Sequence, residues 1–455
     1  MNASIPSGLQ PILRCPRCSG ALEGDSALSC AACAARYPLV DGMPWLLPAP
    51  DLALAEWRGR LHAMTTHLKR QAALYRAALR PDVTLPATRN RLKLLAMACS
   101  DHARRLQALL APLETEAEPA AAATYAALAP VVAAAQGLAS YYANVHRDWN
   151  WGDDENHAAC EAVLRALASA PVARLLVLGS GAGRLAYDLH AILRPALTVA
   201  ADINPLLMAV ARRMYAAERV DLYEFPIAPR DLASHALLRT LESPARAAPG
   251  LHLVFGDAKQ PPFAPGSFDA VVTPWLVDVV DTDLDSLAAT VNSLLAPGGR
   301  WVCTGTLFFQ QADPAQAYSS EEVQEIVAAA GFEPPQFQAS RQPYLASPAS
   351  RHARIEEVVT FAVHKQREVE LPLRPLPPWL ADPRHPVPLL PDVADHALAL
   401  RIRGYVASLV DGRRSMDDIA AKLVEERLLP PAEATGIVRD FLLRLHDEAR
   451  LRTGI

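Results

Sequence analysis

Two groups of residues in this chain have the type and spacing to do chemistry. The first is a set of four cysteines, Cys15-Pro-Arg-Cys18 and Cys30-Ala-Ala-Cys33. Two such knuckles offer four thiolates to one tetrahedral ion, and the eleven residues between the pairs are enough for a hairpin that brings them together. With no position left open for substrate, the pattern predicts a structural Zn2+. The second group begins with "VLGSGAGRLAYDLH", residues 177–190, where Gly179, Gly181 and Gly183 follow an apolar run and open a helical stretch. Glycine is required where a Cβ would collide or φ must be positive. The Gly-x-Gly-x-Gly spacing differs from the Gly-x-Gly-x-x-Gly of dinucleotide folds, so this turn alone does not name its ligand. Two acids narrow it. "LTVAAD" ends in Asp202, nineteen residues after Gly183, where a strand-tip carboxylate can accept both hydroxyls of a ribose. "LVFGDAKQPPF" ends a further strand in Asp257 and Ala258, placed to bond the exocyclic amine of an adenine.

Strand-like runs between Arg174 and Lys365 must position these groups: "RLLVLG", "LTVAAD", "LHLVFGD", "FDAVVT", "RWVCTGT" and "VVTFAVHK", alternating with helical stretches. That alternation predicts an α/β fold with a parallel sheet covered on both faces. The expected organisation is a zinc ribbon over 1–48, closed by "RYPLVDGMPWLLP", and a helical segment over 49–140, punctuated by Pro81, Pro86, Pro112 and Pro119. The α/β domain follows over 141–366, then a proline-rich linker over 367–392 and a helical domain over 393–455. In the last, Asp411-Gly412 reads as a turn, Ser415 as an N-cap before Asp418, and a further helix follows Pro430-Pro431. Cys99, Cys160 and Cys303 are isolated and read as core residues.

The chain has 455 residues, 51% of them hydrophobic, ample for a buried core. Its net charge of −5 disfavours bulk nucleic-acid binding and leaves room only for a local basic patch. The start lacks the basic, apolar and small-residue pattern of a secretory signal, so a cytoplasmic location is expected. The uncharged stretch Pro119 to Val145 is mostly alanine and holds Pro130 and Gln136, which predicts a soluble helical hairpin and no membrane partner.

The glycine turn, Asp202, Asp257-Ala258 and the Pro-Gly-Gly turn at 297–299 together resemble the Class I S-adenosylmethionine-dependent methyltransferases. In that family the glycine turn accommodates the methionine part of the cofactor. Three segments outside the shared fold are narrower: "NVHRDWNWGDDENH" (144–157), the insertion "YEFPIAPRDLASHALLRTL" and "PWLVDVVDT". With "SSEEVQEIVAAAGF" and "RIEEVVTFAVHK" they resemble the carnosine N-methyltransferase family, from about Tyr141 to Lys365. The resemblance implies transfer of a methyl group to an imidazole, in a histidine-containing small molecule or a peptide side chain. It implies that Arg147 binds the cofactor carboxylate, that Asn144 stands for the family's glutamine, and that Asp202 stands for its ribose-binding glutamate. Thr273 joins the cofactor set, and Asp278 and Tyr344 are the implied catalytic residues on the acceptor side. Where the family has a histidine after strand five, this chain has Gln310.

An imidazole with a pKa near ~6.5 is largely neutral at cytosolic pH, so its methylation needs alignment more than a strong base. An aspartate accepting one ring N–H would fix the tautomer and stabilise the developing charge. Asp278 could equally be a solvated loop acid or a helix cap, since Asp281, Asp283 and Asp285 are close by. Trp149, Trp151, Trp275 and Tyr344 are each either pocket walls or packing residues, and His146 and His157 read as satisfied histidines. A ribbon ahead of such a domain resembles the ribosomal-RNA guanine N1-methyltransferases and the small zinc-ribbon partner of several methyltransferases. "SLVDGRRSMDDIAAKLVEE" with "IVRDFLLRLHDEARL" resembles PqqD-like winged-helix domains, which implies capture of a leader peptide by strand addition. The alternatives to imidazole methylation are an RNA base methyltransferase, which would bind RNA in a salt-dependent way, and a non-catalytic peptide-binding scaffold.

Overall fold

Strands form where the apolar runs lie. In chain order they are β1 (Leu22–Glu23), β2 (Ala27–Cys30), β3 (Arg36–Val40), β4 (Met43–Leu46), β5 (Arg174–Leu178), β6 (Leu197–Asp202), β7 (Val220–Glu224) and β8 (Leu237–Leu241), followed by β9 (Leu251–Gly256), β10 (Phe268–Pro274), β11 (Leu295–Gly305), β12 (Gln338–Tyr344) and β13 (Arg354–His364). The computed structural model describes residues 5–6, 8–80, 82, 85–113, 138–168, 171–309, 314–370, 384–389 and 393–452. Gln310, most of the alanine-rich stretch from Pro119 and most of the proline-rich linker lie outside the described residues.

β5 and β6 are buried along almost their whole length, as strands covered on both faces must be. The sheet order β9-β6-β5-β10-β11-β13-β12 is parallel up to β11, after which β13 runs antiparallel between β11 and β12. Alternate residues feed two cores: Leu175, Val177 and Ala200 point to one face, Leu176, Leu178 and Val199 to the other. The covering helices include Arg184–Leu193, Pro205–Tyr215, Leu284–Leu294 and Ser320–Ala329, the last opened by a Ser319/Glu322 capping box. β7 and β8 form a separate antiparallel pair inside the long insertion.

The cysteine-rich segment forms the expected hairpins, and then does something its sequence does not announce. β4 pairs parallel with β9 through Trp45↔Phe255 and Leu46↔Gly256, so the ribbon extends the central sheet to eleven strands. The Trp45 and Phe255 rings stack at 3.8 Å. The Arg14 amide donates to the Pro262 carbonyl (2.9 Å) and the Ala264 amide to the Ile12 carbonyl (2.7 Å). The expected boundary at residue 48 is therefore no break: the chain divides into two units, 1–372 and 373–455.

The helical segment of the first unit is a hairpin of Pro50–Ala77 and Pro86–Leu109, each opened by a proline at its start, where the missing N–H costs nothing. The second of these helices packs by Ala98 against Tyr223 and Ala236 of the insertion. The second unit consists of the helices Val393–Ser408, Met416–Glu425 and Ala434–Arg452 around Val406, Leu409, Ile419, Leu423 and Val438. Asp411 Oδ1 accepts from the amides of Arg413 and Arg414, and Ser415 caps the second helix with Asp418. No strand lies among its described residues, so a wing is not seen there. Among the described residues no helix is long and apolar enough to cross a membrane.

If ribbon and sheet are one body, Trp45→Ala should cost about 3–5 kcal/mol by removing a fully buried ring. Urea denaturation of the full chain should then show the first unit's single transition at a lower midpoint. An early transition confined to the ribbon would contradict this.

Candidate active site

The glycine turn is fixed to the neighbouring strand before any ligand is considered. The amides of Gly179 and Ser180 both donate to the Ala201 carbonyl, at 2.9 and 3.0 Å. Gly179 has φ 76°, and a Cβ there would lie 2.9 Å from Leu276 Cδ1. Gly183 has φ 84°, and a Cβ would lie 2.6 Å from the Tyr215 hydroxyl, which donates to the Gly183 carbonyl at 2.8 Å. The Gly181 amide donates to Asp202 Oδ2 and the Asn204 amide to Asp202 Oδ1, each at 2.8 Å. Burial raises the Asp202 pKa above the usual carboxylate range, against the pull of the backbone N–H groups of Asn204, Gly181 and Ile203.

A cavity opens at the carboxyl edge of the sheet, where ligands bind in open α/β folds. Of the residues singled out in the sequence, Asn144, Arg147, Gly179, Asp202, Asp257, Ala258 and Tyr344 line it. Ser180, which also lines it, has a buried hydroxyl with no hydrogen-bond partner. Gly181 and Gly183 shape the turn behind the wall. Thr273 and Asp278 do not line the cavity. The Thr273 hydroxyl accepts from the Trp301 indole N–H at 2.9 Å, deep in the core. Asp278 is buried, and its Oδ2 accepts from the Thr306 hydroxyl (2.9 Å) and the Phe308 amide (2.8 Å), so it ties down the segment after β11.

The entry segment contains a turn of π-helix, Arg147–Trp151, following the short helix Tyr142–His146. Such turns insert one residue into a helix and recur at functional sites. Gly152 closes it by donating to the Arg147 carbonyl at 2.9 Å, where a Cβ would meet that oxygen at 2.5 Å. The Trp149 indole donates to the Ala182 carbonyl (2.8 Å) and Arg184 donates to the Asp148 carbonyl (2.7 Å), bolting this segment to the glycine turn. Trp149 is thus a core residue, 2% exposed. Arg147 pairs with Asp148 at 2.6 Å and faces the Tyr344 ring, its guanidinium carbon 5.8 Å from the centroid.

Opposite, Trp275 sits at φ 51° after β10, its amide donating to the Thr304 carbonyl at 2.7 Å, and its ring lies 4.5 Å from that of Tyr344. Arg354 also faces the Tyr344 ring, at 4.8 Å. Glu155 was not singled out in the sequence, yet its carboxylate accepts from the amides of Leu345 (3.0 Å) and Ala346 (2.9 Å) and holds Tyr344 at the cavity wall. Tyr141 completes the rim; partial burial, then Tyr344, Asp278 and Asp202, raise the pKa of its hydroxyl. In the ribbon, the sulfurs of Cys15, Cys18, Cys30 and Cys33 lie within 4.8 Å of one another, with Cys15–Cys33 and Cys18–Cys30 at 3.5 Å. Although burial opposes it, a hydrogen bond from Tyr37 and the backbone N–H groups of Arg17 and Cys18 bring the Cys15 pKa down to about 6.

Residues 176–303 match the family model described as a methyltransferase domain. The chain carries a Class I S-adenosylmethionine-dependent methyltransferase domain. The match runs from β5 into β11, so it takes in the glycine turn, both strand-tip acids and Trp275. No curated protein sequence matches the chain. Among solved structures, the YcgJ protein of Bacillus subtilis is 13% identical over 46% of this chain and 99% of its own, with TM-score 0.34. A possible histamine N-methyltransferase of Thermotoga maritima is 16% identical over 50% of this chain and 94% of its own, with TM-score 0.29. Phosphoethanolamine N-methyltransferase 2 of Haemonchus contortus, in complex with S-adenosyl-L-methionine, is 15% identical over 47% of this chain and 53% of its own, with TM-score 0.32.

Glu155→Ala should free the two amides it holds. Hydrogen exchange at Leu345 and Ala346 is expected to speed up at least tenfold, while amides of β5 and β6 keep their protection; unchanged exchange at 345 and 346 would remove Glu155 from that role.

Proposed function

We propose that the enzyme transfers a methyl group from S-adenosylmethionine to an imidazole ring nitrogen, in a histidine-containing small molecule or in a peptide side chain. The observation that carries this reading is convergence. Three segments far apart in sequence, represented by Asn144 and Arg147, by Trp275 and Leu276, and by Tyr344, line one cavity together with Tyr141. These segments carry the resemblance to the carnosine N-methyltransferases.

The residues suit the cofactor: a strand-tip carboxylate, a glycine turn that a side chain would block, and a buried hydroxyl without a partner. Asp202 would take the ribose hydroxyls, Asp257 and Ala258 the adenine, Gly179 and Ser180 the methionine part, and Arg147 with Asn144 its carboxylate. When bound, the cofactor supplies a methyl group on a sulfonium, which the acceptor nitrogen takes in line as the carbon–sulfur bond breaks. Trp275 and Tyr344 flank the acceptor ring and exclude water. In this reading the acceptor reaches past the rim to Asp278, whose Oδ1 is not engaged by Thr306 or Phe308, and that oxygen takes the second ring N–H, fixes the tautomer and stabilises the cationic product until that proton leaves to solvent. The four cysteines hold a structural Zn2+: about 2.3 Å bonds to a tetrahedral ion put sulfurs roughly 3.8 Å apart, near the spacing of the two cysteine contacts. In the same reading the second unit captures a peptide that bears the acceptor, through exposed apolar residues such as Leu398, Leu400 and Val410.

Two experiments test this. Full-length enzyme incubated with labelled donor and histidine-containing dipeptides or peptides should yield methylimidazole. Asp278→Asn should lower that turnover by ~10²-fold or more and leave S-adenosylhomocysteine affinity by calorimetry within about twofold. A parallel loss of both would make Asp278 structural, and label appearing only in RNA would overturn the acceptor. Elemental analysis should find one zinc per chain, lost in Cys18→Ser; a zinc-free, folded wild type would refute the metal assignment.

A further inference from the structure

The charge of this protein is unevenly distributed. The whole chain carries −5, whereas residues 50–113 hold eleven Lys and Arg against four Asp and Glu. The excess is exposed. On the helix Pro50–Ala77 and the turn after it, Lys69, Arg70, Arg76 and Arg80 face solvent; on the antiparallel helix Pro86–Leu109, Arg89, Arg91, Lys93 and Arg104 do so. Residues 69 and 76 fall on one helical stripe, which Arg80 follows beyond the helix end, and 89, 93, 100 and 104 fall on another. The stripes are joined where Arg76 donates to the Ser100 hydroxyl at 2.7 Å. Arg76, Lys93 and Arg104 then line one groove, together with Met97, Ser100, Tyr223 and the single carboxylate of Asp101.

Among the described residues the carboxylates nearby leave part of it unpaired; Glu114, Glu116 and Glu118, which follow in sequence, lie outside the described residues. Asp82 pairs with Arg80, Asp101 with Arg104 and Arg105, Asp221 with Arg105, and Glu56 with Arg60. Lys69, Arg70, Arg89, Arg91 and Lys93 form no ion pair among the described residues. Five like charges held on two packed helices repel one another, and that repulsion is relieved when a polyanion lies along them.

We propose that the basic face of this hairpin, the groove included, docks a single polynucleotide strand by its phosphodiester backbone. The dimensions suit a strand: at 1.5 Å per residue the stripe from 89 to 104 runs about 22 Å and that from 69 to 76 about 10 Å, and packed helices stand about 8–10 Å apart. No aromatic ring is exposed on the described part of the hairpin, and Tyr223 at the groove is buried, so bases are not stacked and the binding is independent of sequence. A membrane surface fits less well. Its helices set a continuous apolar face beside the basic one, whereas here Leu92, Leu106 and Ala72 are buried and Leu74 and Met97 stand apart. This surface goes beyond the imidazole reading and does not depend on it, because its test reads binding and not methyl transfer.

The test uses the full chain and a labelled 20-nucleotide single-stranded RNA in fluorescence anisotropy, with single-stranded DNA, duplex RNA and phosphatidylserine vesicles as further arms. Binding of either single strand is expected to weaken with a log–log salt slope of about −3 to −4, as four to six phosphate contacts imply. The double substitution R89E/K93E should weaken it at least tenfold and leave S-adenosylhomocysteine affinity and the circular dichroism spectrum unchanged. Arg341→Glu, an exposed arginine on β12, should leave RNA binding as in the wild type. Absence of binding at low salt, equal binding by wild type and R89E/K93E, or vesicles competing the RNA away from the hairpin would each overturn the proposal.

Discussion

The structure of the site depends on one half-buried carboxylate, that of Asp202. Taking Asp202 out of water is costly, as its raised pKa records, and it is tolerated because two backbone N–H groups point at it. Those donors belong to different elements: Gly181 lies in the turn after β5, and Asn204 begins the helix Pro205–Tyr215. One side chain therefore sets the turn, the strand tip and the start of the next helix relative to one another. Asn204 carries the constraint outward. Its Oδ1 caps that helix at the amides of Leu206 and Leu207, while its amide nitrogen donates to the carbonyls of Leu138 and Ser140 at the cavity rim.

The ribbon solves a problem for both partners. A segment of this size buries too little apolar surface to be stable without help, and the edge of a sheet at β9 is a row of unpaired backbone groups. Pairing β4 with β9 covers the edge and gives the ribbon a core to rest on. The contact continues past the strand, since the ribbon bonds to Pro262 and Ala264 on the far side of the Asp257–Ala258 loop. The loop that supplies two residues of the cavity wall is thus held at both of its ends by backbone already fixed in place.

The parts legible in the sequence are those governed by local chemistry. Continuous apolar runs marked the central strands, glycines marked the turn because a Cβ at Gly179 or Gly183 would collide and positive φ costs glycine nothing, and Ser415 and Asp418 marked a helix start. Four cysteines in two knuckles were brought together as their spacing required. What was not legible depends on partners distant in sequence. The pairing of Trp45 with Phe255 involves two residues of a parallel bridge, which leaves no periodic trace. Nothing in "DDENH" says that Glu155 will meet the amides of Leu345 and Ala346, or that the Arg147–Trp151 turn will be a π-helix, although Gly152 after two tryptophans was a signal available to read. Thr273 and Asp278 stand beside the cavity in sequence, yet their polar atoms are claimed by Trp301, Thr306 and Phe308, residues that only the register of β10 on β11 brings near.

The most direct test is a crystal structure of the full chain with S-adenosylhomocysteine. The account predicts the ribose hydroxyls on the Asp202 carboxylate, the adenine beside Asp257 and Ala258, and the sulfur facing Trp275 and Tyr344. Density for the nucleoside at another face of the sheet, or a cavity that stays filled by the Tyr141 and Tyr344 side chains at saturating ligand, would contradict it.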